Sequence, residues 1–143
     1  MRALYLETSA VLRWLLGEPR GARAASLIEE ADEPICSVLT ILESKRALIR
    51  AERERIVRRG EVAELRALLA RVSRRWTLME ISPEIRLRAA EAFPVEPVRT
   101  LDALHLATIL EFVRVHPDLS VLSADRRIVS NLEPLGLHAA IEE

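Results

Sequence analysis

A short apolar strand that stops at a carboxylate and turns at once into a helix constrains this chain more than any other feature. Leu4-Tyr5-Leu6 is followed by Glu7, then by Thr8 and Ser9. Val11-Leu12-Arg13-Trp14-Leu15-Leu16 then carries apolar residues at helical spacing. In an open α/β sheet, ligands sit outside the carboxyl ends of the strands, so Glu7 would stand where chemistry is done. Alone, it has a plainer explanation as a first-turn acid favoured by the helix dipole, with Thr8 or Ser9 as the cap. What decides between the two is whether other acids arrive at the same edge.

The rest of the sequence alternates strands with helices. Gly17-Glu18-Pro19-Arg20-Gly21 is a turn cluster, and a helix over 22–31 follows with Ala25, Leu27 and Ile28 as its buried face. Asp32-Glu33-Pro34 breaks it, and Ile35-Cys36-Ser37 is a short strand. A long helix then covers 38–55, with Leu39, Leu42, Ala47, Leu48 and Ile49 as its apolar stripe. Gly60 separates it from a helix over 61–74, where Val62, Leu65, Leu68, Leu69 and Val72 recur at helical spacing. A third strand is predicted over 76–81, and Ser82-Pro83-Glu84 opens a helix with Ser82 as cap and Pro83 in its first turn. Phe93-Pro94 and Pro97 end that helix in a loop. A helix over 100–115, a strand over 119–122, a helix over 125–132 and a short strand over 137–141 complete the chain. This order predicts one α/β domain over 1–143 with a four- to five-stranded, mostly parallel sheet.

Composition removes several function classes. Half the residues are hydrophobic, which excludes a disordered chain, and no apolar run reaches the length of a membrane span. The N-terminus enters a strand with no signal-peptide pattern, and Cys36 is the only cysteine, so a reducing, cytoplasmic setting is expected. A cysteine-based zinc site is excluded, and His105, His116 and His138 are too scattered for a histidine-rich one. Four glycines form no phosphate-cradling loop. A phosphotransferase would want a second Asp two residues after the first acid, or a lysine at a later strand end. Thr8-Ser9 follow Glu7 instead, and Lys45 lies within a helix. Net charge is −1, yet residues 44–75 carry eleven basic and four acidic residues, an excess of seven. That stretch is either a phosphate-facing surface or a solvated helical face.

Three further carboxylates stand at or near strand-to-helix junctions. Glu43 lies in the second turn of the 38–55 helix, Asp102 in the first turn of the 100–115 helix, and Asp125 just after Leu122-Ser123-Ala124. Each has a local explanation: Glu43 as a partner of Arg46, Asp102 as a dipole acid, Asp125 as a helix cap. If all three converge with Glu7, their charge calls for a divalent cation, and hard oxygen donors select Mg²⁺ or Mn²⁺. Such a site suits phosphodiester hydrolysis, with Thr8 and Ser123 placed to hold water or phosphate oxygen.

Leu4-Tyr5-Leu6-Glu7-Thr8-Ser9-Ala10, Leu42-Glu43 with Arg46, Leu101-Asp102-Ala103-Leu104-His105-Leu106-Ala107, Leu122-Ser123-Ala124-Asp125 and Gly136-Leu137 together resemble the PIN domain. Within that family they resemble the VapC-type toxin nucleases of bacteria and archaea. The resemblance implies a three-layer α/β/α fold and a Mg²⁺- or Mn²⁺-dependent ribonuclease. It implies an acidic quartet of Glu7, Glu43, Asp102 and Asp125, with the metal on Glu7, Asp102 and Asp125 and with Thr8 and Ser123 alongside. It further implies a homodimer held inactive by a small antitoxin. The chain departs from the family pattern at one place, where Glu7 stands for the usual Asp.

Arg46 and Arg50 follow Glu43 at i+3 and i+7 on one helix face, and Arg99, Arg126 and Arg127 flank the other two acids. All five are candidates for binding RNA phosphates. His105, one turn after Asp102, sits in an apolar run and is expected to pack with a hydrogen bond rather than act as a general acid. The rival to a working nuclease is a catalytically weak PIN domain that binds RNA or protein, because the extra methylene of Glu7 displaces its carboxylate by roughly 1.5 Å.

Overall fold

The computed structural model describes residues 2–140. Its strands are β1 (Ala3–Leu6), β2 (Glu33–Ser37), β3 (Thr77–Met79), β4 (Ser120–Leu122) and β5 (His138–Ala139). All pair in parallel, in the order β3-β2-β1-β4-β5. The helices are α1 (Thr8–Leu15), α2 (Gly21–Glu30), α3 (Val38–Arg53), α4 (Glu61–Ser73), α5 (Pro83–Ala89), α6 (Thr100–Val115) and α7 (Arg126–Leu132). A short 3₁₀ turn, Glu133–Leu135, precedes β5. The expected class and parallel sheet are thus present. Ile141, the predicted end of the fifth strand, lies outside the described residues.

β1 occupies the centre of the sheet, and all four of its residues are buried. Ala3 and Tyr5 face a core built with α6 and α7, whereas Leu4 and Leu6 face a second core built with α1 and α2. A strand covered on both faces reads as a continuous apolar run, which is why Leu4-Tyr5-Leu6 shows no polar alternation. The sheet is the middle layer of an α/β/α sandwich.

Three local expectations change. β2 begins at Glu33 rather than Ile35, because the Glu33 N–H donates to the Arg2 carbonyl at 3.0 Å. Pro34 is tolerated there since the ladder with β3 starts only at Ile35, so its missing N–H forfeits no bond on that side. On α3 the buried face keeps the expected Leu39, Ala47 and Leu48 and adds Thr40, Ser44 and Ala51, whereas Leu42 is 58% exposed. Small residues at helical spacing let α3 lie close to α1, and the Thr40 hydroxyl donates to the Leu6 carbonyl at 2.9 Å. The basic 44–75 stretch does not form one surface. Arg75 turns away to donate to the Ile28 and Ala31 carbonyls at 3.1 and 3.3 Å, closing the C-terminus of α2.

Gly21 sets the spacing of α1 against α2. A Cβ at this position would fall 2.3 Å from the Arg13 carbonyl oxygen, a backbone atom with no room to yield. Gly21→Ala is therefore expected to destabilise the fold by about 1–3 kcal/mol. Thermal melting followed by circular dichroism checks this, and an unchanged midpoint would show that α2 can move away freely.

Candidate active site

Glu7 is placed by the sheet and then held by its own helix. Its N–H continues the β1–β4 ladder by donating to the Leu122 carbonyl at 3.0 Å. Its backbone is extended, and it is itself the N-cap of α1, the role expected of Thr8 or Ser9. The longer side chain folds back so that Oε2 accepts from the Ser9 N–H at 2.9 Å. Oε1 accepts from the Ser9 hydroxyl and, at 2.6 Å, from the Ser123 hydroxyl. The residue is only 4% exposed, so these bonds supply most of its solvation.

The same two serines stitch the β4–α7 loop onto α1. Ser123 Oγ accepts from the Asp125 N–H at 3.0 Å, and Ser9 Oγ accepts from the Ala124 N–H at 2.8 Å. Asp125 then caps α7, accepting from the Arg127 N–H at 2.8 Å. Glu7 and Asp125 are thereby linked through one hydroxyl. Ser9 was not among the residues predicted for the site. Its signal was its adjacency to the acid, but its bond to Ala124 crosses 115 positions and has no local trace.

Asp102 stands in the first turn of α6, half-buried. Its carboxyl takes no hydrogen bond or ion pair from the described residues. Burial, followed by the negative charges of Asp125 and Glu7, pushes it above the ordinary carboxylate range, and His105 and Arg127 offset this only in part. Three of the four predicted acids therefore share one electrostatic neighbourhood at the carboxyl end of the sheet.

Glu43 joins that neighbourhood through intermediaries. Its Oε1 accepts from the Thr8 hydroxyl at 2.7 Å and lies 2.6 Å from His105 Nε2, so its partner is not Arg46. On the other side of the ring, the Tyr5 hydroxyl lies 2.8 Å from Nδ1. The arrangement that satisfies every group has Tyr5 donating to Nδ1 and Nε2–H donating to Glu43. Burial alone would raise the Glu43 carboxyl, but the hydrogen bonds from His105 and Thr8 outweigh it and lower it. Burial, reinforced by Cys36 and the nearby acids, raises the Tyr5 hydroxyl well above its usual range and keeps it protonated. His105 is 1% exposed with both ring nitrogens engaged, so it packs and orients rather than meeting a substrate. The Thr8 hydroxyl likewise donates to Glu43.

Two grooves border the acids. One of about 330 Å³ is lined by Ser9, Arg13, Arg50, Ile56 and Ala124, among others. The other, of about 610 Å³, is lined by Arg13, Arg20, Ser123, Ala124 and Arg126, among others. Arg50 and Arg126 thus stand beside the site, and Arg127 acts on Asp102 through its charge. Arg46 and Arg99 are exposed and line neither groove. Arg13 and Arg20 do line them and were not predicted, although the i, i+4 spacing of Ser9 and Arg13 on α1 was a usable signal.

Asp102, with its carboxyl unbonded, and Asp125 beside it supply carboxylate oxygens at this edge, and hard oxygen donors suit a divalent cation. As the side chains stand, no three acidic, histidine or cysteine residues among the described residues form a group that could hold a metal ion. The Glu7 carboxylate is held by Ser9 and Ser123. Asp102 and Asp125 remain, and Mg²⁺ is commonly held by one or two carboxylates with waters and substrate phosphate completing its shell.

A PIN domain family model matches residues 4–131. Ribonuclease VapC35 of Mycobacterium tuberculosis is 33% identical over 136 residues, covering 94% of this chain and 93% of that protein. The chain belongs to the PIN domain family. Solved PIN-like neighbours confirm the fold at low identity. A toxin-antitoxin complex from Klebsiella pneumoniae aligns with a TM-score of 0.61 at 15% identity, covering 91% of this chain and 92% of that one. VapBC2 from Rickettsia felis, solved bound to a DNA fragment from its promoter, aligns with a TM-score of 0.63 at 9% identity, covering 96% and 97%. The matched span of the PIN domain includes all four acids and both serines, and the resemblance to VapC-type chains extends over nearly its whole length.

Proposed function

We propose that this PIN domain is a metal-dependent endoribonuclease that hydrolyses RNA phosphodiester bonds, acting as the toxin of a type II toxin–antitoxin pair. The observation that carries the reading is Asp102, left without a partner against Asp125 and Glu7 at the carboxyl edge of the sheet. Keeping a half-buried carboxylate in such a place costs stability, and clustered perturbed acids mark functional sites. The ribonuclease name of the 33% identical relative supports RNA as the substrate. The Klebsiella and Rickettsia neighbours, solved as toxin–antitoxin and VapBC assemblies, support a small antitoxin partner. The same reading carries a cytoplasmic homodimer. No helix among the described residues is long and apolar enough to cross a membrane.

Asp102 and Asp125 would hold Mg²⁺ or Mn²⁺, with Glu7 beside them. The bound cation would polarise the scissile phosphate and activate water. The chain's own residues do the rest. Ser9 and Ser123 fix Glu7, Arg127 tempers the charge on Asp102, and Arg50 and Arg126 offer phosphate contacts in the two grooves. Arg46 and Arg99 serve further out on the exposed surface. Glu43 is a positioning residue that acts through His105 on the first turns of α6, where Asp102 sits.

One observation favours a second reading, a binding module with weak catalysis: the Glu7 carboxylate is spent on Ser9 and Ser123. An RNA-cleavage assay with Mg²⁺ or Mn²⁺, with and without chelator, separates the two. Cation-dependent cleavage well above the Asp102→Asn baseline is expected. If neither cation lifts cleavage above that baseline on a broad RNA panel, the nuclease reading fails. Glu7→Asp then reports on the second reading, because a gain in rate would show that the longer acid holds catalysis back.

A further inference from the structure

The basic residues of the α3–α4 connection are left over once the acid site is built. Arg53, Arg55, Arg58 and Arg59 are all exposed and, with Ile56, line a cavity of about 580 Å³ at the far end of α3. Ile56 is 62% exposed, large and apolar, in the middle of these charges. Arg55 has a φ of 59°, a left-handed conformation uncommon for a residue with a side chain. One cation is partly spent: Arg58 lies 3.8 Å from Glu61, which also accepts from its N–H. Arg53, Arg55 and Arg59 form no ion pair with the described residues.

This knuckle is continuous with the acid site. Ile56 lines both its cavity and the groove that contains Arg50, Ser9 and Ala124. That groove in turn shares Arg13 and Ala124 with the groove containing Arg20 and Arg126. A single track therefore runs from the knuckle, past the serines that hold Glu7, to the N-terminus of α7. From Glu43 to Arg53 is ten residues of α3, or about 15 Å along the helix axis. That length accommodates a short stretch of an extended strand; Glu52 lies among the arginines of the knuckle cavity, and Glu18 and Glu54 line the adjoining groove.

We infer that single-stranded RNA lies along this track, with the α3–α4 knuckle gripping the strand's phosphates away from the cleavage point. The occupant follows from charge: Arg53, Arg55 and Arg59 at one end and Arg20 and Arg126 at the other form no ion pair with the described residues, so both ends attract a polyanion despite the glutamates between them. This inference rests on the nuclease reading for its substrate, but its test is binding rather than cleavage. In the Asp102→Asn background, binding of a labelled unstructured RNA is measured as a function of salt. The test compares the parent with the triple substitution Arg53→Gln, Arg55→Gln, Arg59→Gln and with the matched triple to Lys. The Gln triple is expected to weaken binding about tenfold or more and to lower the log–log salt slope by about 2, at ~0.7 per lost phosphate contact. The Lys triple should keep the parent slope, and equal melting temperatures exclude misfolding. A Gln triple that melts like the parent and binds RNA with the same affinity and slope overturns the inference. RNA bound through the knuckle by a chain that cleaves nothing with either cation upholds the track and sinks the nuclease.

Discussion

Asp102→Asn is expected to melt above the parent chain at neutral pH while losing RNA cleavage by at least about a hundredfold. The two effects have one cause. The folded protein holds this carboxyl above its ordinary range, through burial first and then through the charges of Asp125 and Glu7. An acid whose pKa is raised by folding costs stability when ionised, and the cost fades as pH falls through the carboxylate range. The melting advantage of Asp102→Asn should therefore be present near pH 7 and shrink on acidification. Parallel melts and cleavage assays across that range check it. An Asn variant that melts below the parent would mean Asp102 is structural, and a variant that still cleaves would remove it from the chemistry.

The second large effect is expected at His105. His105→Leu keeps roughly the volume of the ring but strands the Tyr5 hydroxyl and removes the donor that Glu43 faces at 2.6 Å. Leaving a buried polar group without its partner costs roughly 1–3 kcal/mol, a large share of the stability of a domain this size. Adding Tyr5→Phe should return part of that loss, because removing both partners leaves fewer buried groups unsatisfied. Denaturant unfolding of the two single variants and the double variant measures the coupling. Strict additivity would show that the three side chains are not a unit.

What could be read from the sequence, and what could not, divides along contact range. The strand–acid–helix opening, the alternation of elements and the three later acids are local patterns, and local patterns survive in a linear string. The role of Leu42 was misjudged because helical spacing cannot say which face meets a neighbour. α3 turns Thr40, Ser44 and Ala47 inward for close approach to α1. The network of Tyr5, His105 and Glu43 joins residues separated by 100 and 62 positions, and no periodicity announces it. Thr8 and Ser9 were visible as small hydroxyl residues after an acid. Which of them would bind Glu7, and which would turn to Glu43, depended on strands that arrive much later. The family pattern supplied the order of the acids, and the fold supplied their unequal roles.

The order of strands has a consequence for the timing of synthesis. β1 is made first yet lies in the middle, and it can pair with β2 once residues 33–37 have emerged. Its other edge stays open until residues 120–122 are made, and Glu7 then gains Ser123 while Asp102 gains Asp125 as a neighbour. A nascent chain still short of residue 120 carries three of the four acids but neither Asp125 nor the loop that completes their edge, and parallel pairings of this span are slow to close. The nuclease proposed here would thus stay inert beside the ribosome that makes it until translation of the fold is nearly finished. An antitoxin supplied by that moment would meet a newly closed site.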